Sequence, residues 1–261
     1  ADVTLTTDAN AGVINMNQLA QTDNSGNTLT LNTQGAGTAT IVNATAVNLA
    51  AGTVGGATSI TATLGNIIDA GTFTVSAGGA TFVTGADAAS INLGTLAVTG
   101  GITLTTNDSS GADSDATIVN ATAFAFGAST VDGDLSATAT LGNITQSGAL
   151  TVGGTGTFVT SADDADIVLS TATNAITGEV SFTTNTSESA AAGTSDVTFD
   201  NGVLDIVFAA STIDGDLVVT SGNVSGITDN GTVTVDADVT LTTDANAGVI
   251  NMNQLAQTDN S

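Results

Sequence analysis

The sequence predicts an all-β chain wound as a parallel β-solenoid, and three observations lead there. First, the 25 residues ADVTLTTDANAGVINMNQLAQTDNS at Ala1–Ser25 return unchanged at Ala237–Ser261, a start-to-start offset of 236 residues. The chain therefore reads as a single continuous solenoid over 1–261, one period plus an overlap of a longer tandem array, and the repeat governs the fold. Second, short alternating runs dominate: Thr28–Thr33 (TLTLNT), Ser59–Leu64 (SITATL), Thr72–Val75 (TFTV), Gly101–Thr106 (GITLTT) and Val239–Thr242 (VTLT). Each puts apolar side chains on one face and mostly Thr on the other, the period of two of a half-buried strand. Third, there is no proline, as expected where every interior strand donates its backbone N–H to a neighbour.

The order of elements follows from two finer repeats. TIVNAT at Thr40–Thr45 recurs at Thr117–Thr122, and LGNI at Leu64–Ile67 recurs at Leu141–Ile144, both at an offset of 77. STVDGDL at Ser129–Leu135 matches STIDGDL at Ser211–Leu217, offset 82, and GALTV at Gly148–Val152 matches GTVTV at Gly231–Val235, offset 83. Three internal units of about 73–85 residues thus make one period. Within them a four-residue step recurs at Thr53, Thr72, Ala97, Thr130, Thr151, Ala175, Thr212, Thr232 and, more weakly, Asn24. Nine steps predict about nine coils of about 26 residues per period, and rungs ~4.8 Å apart make that roughly 43 Å of rod.

Three short strands are expected in each coil. After Ala97 they are Ile102–Thr106, Ala116–Asn120 and the run Ala123–Val131, with the acidic insert Asn107–Asp115 between the first two; after Thr130 they are Asp134–Ala139, Gly142–Gln146 and Gly148–Val152. Leu31, Leu104, Phe158 and Phe182 fall at equivalent places and are expected to stack as one interior ladder. Asn43, Asn66, Asn92, Asn120, Asn143, Asn223 and Asn251 are candidates for an asparagine ladder near the second strand.

Composition limits the function. With no Lys, Arg or His and 25 carboxylates, the formal net charge is −25. Side chains can form no salt bridge with one another, and nucleic acid is not an expected partner, because phosphate binding rests on Lys and Arg. The absence of Cys excludes disulfides and thiol catalysis, and Ser-His or Cys-His nucleophile systems are impossible within this chain. No apolar run is long enough for a transmembrane helix. A hydrophobic fraction of 41% is enough to bury a core.

The residues with candidate chemistry are aspartates at i, i+2: Asp132 with Asp134, Asp164 with Asp166, and Asp214 with Asp216, beside Asp113 with Asp115 and Asp236 with Asp238. On an extended strand such a pair points one way with Cα atoms roughly 6.6 Å apart, a spacing suited to a hard cation such as Ca2+. The plainer reading makes them turn residues with solvated carboxylates. A glycosidase acid–base pair is a poor fit, since the pairs repeat along the chain and no Trp, Tyr or Arg is present to bind sugar. Rows of Thr-x-Thr follow from β propensity as readily as from an ice- or mineral-binding face.

The run DGDLSATATLGNITQSGALTVGGTGTFVT (Asp132–Thr160), followed by NAITGEVSFTT (Asn174–Thr184), resembles the β-strand repeats of filamentous-haemagglutinin-like proteins and giant bacterial surface adhesins. The resemblance implies a right-handed parallel β-helix, export to the cell surface and a role as a stalk, adhesin or fibre. It brings no catalytic residues. The expected function is that of an extracellular structural protein, not an enzyme. Its partner is itself, end to end or as a homopolymer, with divalent cations as counter-charge. The alternative is an adhesin shaft, or a calcium-dependent binding module, that presents the inserts Asn107–Asp115 and Asn185–Asp196 to a partner. The absence of Lys and Arg also removes every trypsin-type cleavage site.

Overall fold

Alternating apolar residues become strands here because each strand can set its apolar face inward only if a neighbouring turn satisfies its backbone. The computed structural model describes residues 1–22, 26–107, 113–185 and 194–258, and contains no helix among them. The chain is all-β, a parallel β-solenoid of about 11 turns. It clusters into two units, one of residues 1–122 with 129–134, the other of residues 123–128 with 135–261.

Two walls face each other across the interior of the first unit. One wall runs through Val3–Asn10, Leu29–Gln34, the broken pair Val47–Leu49 and Gly52–Val54, the broken pair Ile67–Asp69 and Phe73–Val75, then Ile91–Val98 and Ala116–Asn120. The other runs through Ile14–Leu19, Ala39–Asn43, Thr58–Ala62, Ala80–Thr84 and Gly101–Thr105. Each strand pairs in parallel with those one turn before and after it. Residues in register are typically 19 to 30 apart, as Ala39 with Thr58 and, in the second unit, Ile167 with Val197. Inward residues such as Leu31, Ile41, Ile60, Phe82 and Leu104 are fully buried.

The second unit is built alike. One wall holds Leu135–Ala139, Gly156–Thr160 and Val180–Thr183, then the broken pairs Ile206–Phe208 with Ser211–Ile213, Ile227–Asp229 with Val233–Val235, and Ile250–Asn251 with Leu255–Gln257. Opposite stand Phe124–Phe126, Ile144–Gln146 with Leu150–Val152, Ile167–Leu169 with Ala175–Ile176, Val197–Asp200, Leu217–Ser221 and Val239–Thr243. Phenylalanine fills this interior. Phe158 stacks on Phe182 with ring centroids 5.7 Å apart, and Phe182 also meets Phe199 at 5.2 Å and Phe208 at 6.0 Å.

Three expectations change. The described chain makes about 11 turns, more than the roughly ten that nine per 236 residues would give over 261, because a coil need not contain the four-residue step. The 37-residue gap between Ala175 and Thr212 hides a complete turn made of Val180–Thr183 and Val197–Asp200. Three strands per coil holds only where one wall is broken; a turn with two straight walls has two strands.

The single ladder through Leu31 and Leu104 does not form either. Both are buried, but Leu31 pairs with Leu5 on one wall and Leu104 with Phe82 on the other. The reason is a half turn. Ala39, Thr58, Ala80 and Ile102 mark three full turns up one wall, yet Ala116, which is Ala39 shifted by the 77-residue offset, starts a strand on the opposite wall. In the second unit Ile144, Ile167, Val197 and Leu217 mark three turns, and Ile227, equivalent to Ile144, again lies opposite. Each internal unit is three and a half turns long, so successive copies of a motif alternate walls.

Candidate functional site

Of the aspartates singled out in the sequence, Asp115, Asp134, Asp166, Asp216 and Asp238 each stand at a corner of the coil, immediately before a strand. There the chain must turn into the wall while its backbone groups still find partners. In the second unit Asn143, Asp166, Asp196, Asp216 and Asp238 stand at this corner in successive turns. The N–H of Asp166 donates to Asn143 Oδ1 at 3.0 Å, that of Asp196 to Asp166 Oδ1 at 3.0 Å, that of Asp216 to Asp196 Oδ1 at 2.8 Å and that of Asp238 to Asp216 Oδ1 at 2.9 Å. The next residue continues the contact in the other sense. Ile167 donates to the Asp196 carbonyl, Val197 to that of Asp216 and Leu217 to that of Asp238. The side chain thus adds one more rung below the strand, with a charge-assisted bond where it is aspartate. In the first unit Asp115 Oδ1 accepts the N–H of Asp134, Asn66 Oδ1 that of Ser90 and Asp2 Oδ1 that of Thr28.

A column of carboxylates one rung apart is electrostatically costly, and the cost appears at its middle. Burial pushes the Asp196 carboxyl above its ordinary range, the Asp216 N–H pulls it back, and the charges of Asp216 and Asp166 push it up again. At the exposed Asp2 of the first unit the balance reverses: the backbone N–H of Thr28, with its hydroxyl, holds the carboxyl below the ordinary range.

The Asp-Gly-Asp motif is a latch onto this column. The first aspartate's N–H donates to a threonine of the preceding turn, Asp132 to Thr106 Oγ1 at 2.8 Å and Asp214 to Thr184 Oγ1 at 2.9 Å. Glycine follows because a Cβ on Gly215 would meet Asp196 Oδ1 and stand 2.7 Å from the Ser195 carbonyl carbon; Gly133 is crowded by Asp115 Oδ1 in the same way. The last aspartate donates its N–H to the corner carboxylate one turn back, Asp134 to Asp115 Oδ1 and Asp216 to Asp196 Oδ1.

The six calcium candidates are placed accordingly. Asp134, Asp166 and Asp216 have N–H groups held by the side chain one turn back. Asp132 and Asp214 begin the latches, and the Asp214 carboxylate is only 1% exposed, with Oδ2 accepting the Thr194 N–H. Asp164 sits in a left-handed turn conformation (φ 55°) and accepts from Thr194 Oγ1. None of the pairs lies on the extended strand that a shared orientation requires. Among the described residues no group of three or more His, Cys, Asp or Glu converges on a point a metal ion would occupy. The inserts Asn107–Asp115 and Asn185–Asp196 lie outside the described residues at 108–112 and 186–193.

The asparagines divide into separate roles instead of one ladder. Asn43 is fully buried, accepts the Gln21 N–H and donates to the Gln21 carbonyl; Asn120 does the same to Val98, and Asn201 to Ile176. Each amide stands in for a peptide group where its own strand ends one rung short of its neighbour. Asn92 lies exposed in Ile91–Val98, while Asn66 and Asn143 belong to the corners. Asn201 was invisible to motif matching because FDNG at Phe199–Gly202 does not look like VNAT. An Asn at a strand's inward-facing end is the signal that would have found it.

Comparison with known families agrees with the repeat reading. A family described as repeats of unknown function (DUF5649) matches residues 113–183 and 189–260. No curated protein and no solved structure matches the chain.

Proposed function

We infer that this chain, which belongs to the DUF5649 repeat family, is an extracellular structural protein, a rigid fibre or stalk segment of the cell surface whose work is mechanical. The observation that carries the reading is the column of backbone and corner bonds between successive turns. Strand N–H groups, corner carboxylates and clamp asparagines are all directed along the stacking direction, as from Asp166 through Asp196 and Asp216 to Asp238. Among the described residues no group of three or more carboxylates converges on one point. Stiffness comes from this bonding together with the apolar interior, and the acidic surface keeps such fibres apart. The absence of Lys and Arg suits exposure to proteases.

The test is electron cryo-imaging of the native material. Three internal units of three and a half turns make about 10.5 turns per period, so the expected pattern is a ~4.8 Å rung reflection with an axial rise of roughly 50 Å per period. By that half-integral count successive periods are expected to be related by about half a turn, for a full translational repeat of roughly 100 Å. Short discrete particles without that repeat would refute the fibre reading and leave an adhesin shaft.

A further inference from the structure

We propose that Asn230 is a self-modification site. The backbone nitrogen of Gly231 displaces ammonia from its side-chain amide, and water opens the ring so formed, leaving a carboxylate where an amide donor held Glu179. The reaction needs only this chain and water, whatever the rod is built for.

The corner that carries Asn230 recurs in all three internal units, and the fold asks only for its glycine. Ala70–Gly71, Ser147–Gly148 and Asn230–Gly231 follow one another at the offsets of 77 and 83 residues. In each the first residue donates its N–H one turn back, Ala70 to the Leu49 carbonyl at 2.7 Å, Ser147 to that of Phe126 at 2.8 Å and Asn230 to that of Phe208 at 2.8 Å. A Cβ on the glycine would stand 3.1 Å from the Ala51 nitrogen, 2.5 Å from that of Ala128 and 2.4 Å from that of Ala210. Alanine and serine serve before the glycine, so the asparagine is a local choice. It makes one of two Asn-Gly dipeptides in the chain, Asn201–Gly202 being the other.

The two asparagines stand in opposite settings. Asn201 is buried, with Oδ1 accepting the Ile176 N–H and Nδ2 donating to the carbonyls of Ile176 and Asp205, while the Gly202 N–H donates to the Asp200 carboxylate at 2.7 Å. Neither the amide carbon nor the nitrogen that would attack it can turn toward the other without breaking these bonds. Asn230 is exposed at a bend, although turns pack on both sides of it, Ile206–Phe208 with Ser211–Ile213 before and Ile250–Asn251 with Leu255–Gln257 after. Its Nδ2 donates to Glu179 Oε1 at 2.6 Å, and its Oδ1 accepts no hydrogen bond among the described residues. The Gly231 N–H has only a 3.3 Å bond to the Phe208 carbonyl, which the Asn230 N–H already satisfies at 2.8 Å, so freeing it orphans no acceptor.

The Gly231 nitrogen gives its proton to hydroxide and bonds to Asn230 Cγ, and the negative charge gathers on the unheld Oδ1. The Cγ–Nδ2 bond then breaks, and ammonia leaves with a proton from water. Hydrolysis of the succinimide adds one water: opening at the side-chain carbonyl gives aspartate, and opening at the backbone carbonyl gives isoaspartate. Either product sets a carboxylate against Glu179. Isoaspartate also lengthens the backbone by one carbon in a corner already too tight for a Cβ, between strands Ile227–Asp229 and Val233–Val235, whose register is set by the turns on both sides. Because ammonia is lost the change runs one way, and Asn230 acts as a clock built into the rod.

The test ages the full chain at neutral pH, folded and in urea, and follows both asparagines by peptide mass mapping with enzymatic labelling of isoaspartate. In urea the two Asn-Gly dipeptides are expected to convert alike. In the folded chain Asn230 converts roughly tenfold or more faster than Asn201, since a buried dipeptide reacts only when its turn opens. Hydrogen-exchange protection at Val233, whose N–H donates to the Gln254 carbonyl at 3.0 Å, falls in step with isoaspartate. Asn230→Ser and Asn230→Ala copy the corners at Ser147 and Ala70 and keep that protection through the same ageing. A smaller ratio, or a folded chain that keeps both amides while the unfolded chain loses them, overturns the proposal. So does an equal loss of protection at Val233 in the two variants.

Discussion

Replacing Asn201 by Leu asks how much one clamp contributes. The residue is buried, its Oδ1 accepts the Ile176 N–H at 2.8 Å, and its Nδ2 donates to the carbonyls of Ile176 at 2.9 Å and Asp205 at 2.8 Å. Leucine fills the volume but leaves one backbone N–H and two carbonyls unmet. Orphaned buried groups cost about 1–3 kcal/mol each, and the two carbonyls keep some access to other partners, so a loss of about 3–5 kcal/mol is expected. With an m-value of about 2 kcal/mol per molar urea the midpoint falls by about 2 M. Because repeat arrays open locally, hydrogen exchange at the Ile176 amide is the sharper readout, and its protection should collapse. Asn201→Asp supplies a control in pH. Facing two carbonyls, that carboxyl titrates above its unfolded value of about 3.9, so the variant is weakest at neutral pH and recovers relative to wild type as pH falls through the raised value. An Asn201→Leu protein within 0.5 kcal/mol (roughly the noise of surface substitutions) with Ile176 still protected refutes the clamp.

Three further outcomes follow from the same contacts. Asp196→Asn keeps the oxygen that accepts the Asp216 N–H and removes the charge. Since Asp196 is raised in the fold, its ionised form is a penalty above that value, relieved as pH falls; the variant should raise the urea midpoint at pH 7 and leave it unchanged at pH 3. Phe182→Ala removes a ring packed on Phe158, Phe199 and Phe208 and should cost about 3–5 kcal/mol in urea unfolding. Gly215→Ala forces a Cβ against Asp196 and the Ser195 backbone and should cost about 1–3 kcal/mol, whereas Gly94→Ala, where a Cβ meets nothing within 4 Å, should be close to neutral in the same assay.

The sequence alone determined the class of fold and its period. Alternation of apolar residues, missing proline and the 236-residue identity are consequences of strands that must bury one face and bond to like neighbours, and these constraints act residue by residue. They also put the aspartates of DGD into turns as one of two open readings. Only the tertiary structure decided how many turns fill a period, which wall each motif joins and what each aspartate bonds, because these depend on the neighbouring coil. The clearest case is the repeated segment itself. INMNQL is one bulged strand, Ile14–Leu19, where it lies on the straight Ala39–Asn43, and two short strands, Ile250–Asn251 and Leu255–Gln257, where it lies on a broken wall. Identical side chains take the shape of the template below or above them, since each rung's hydrogen bonds are set by the partner strand and not by the segment that docks on it.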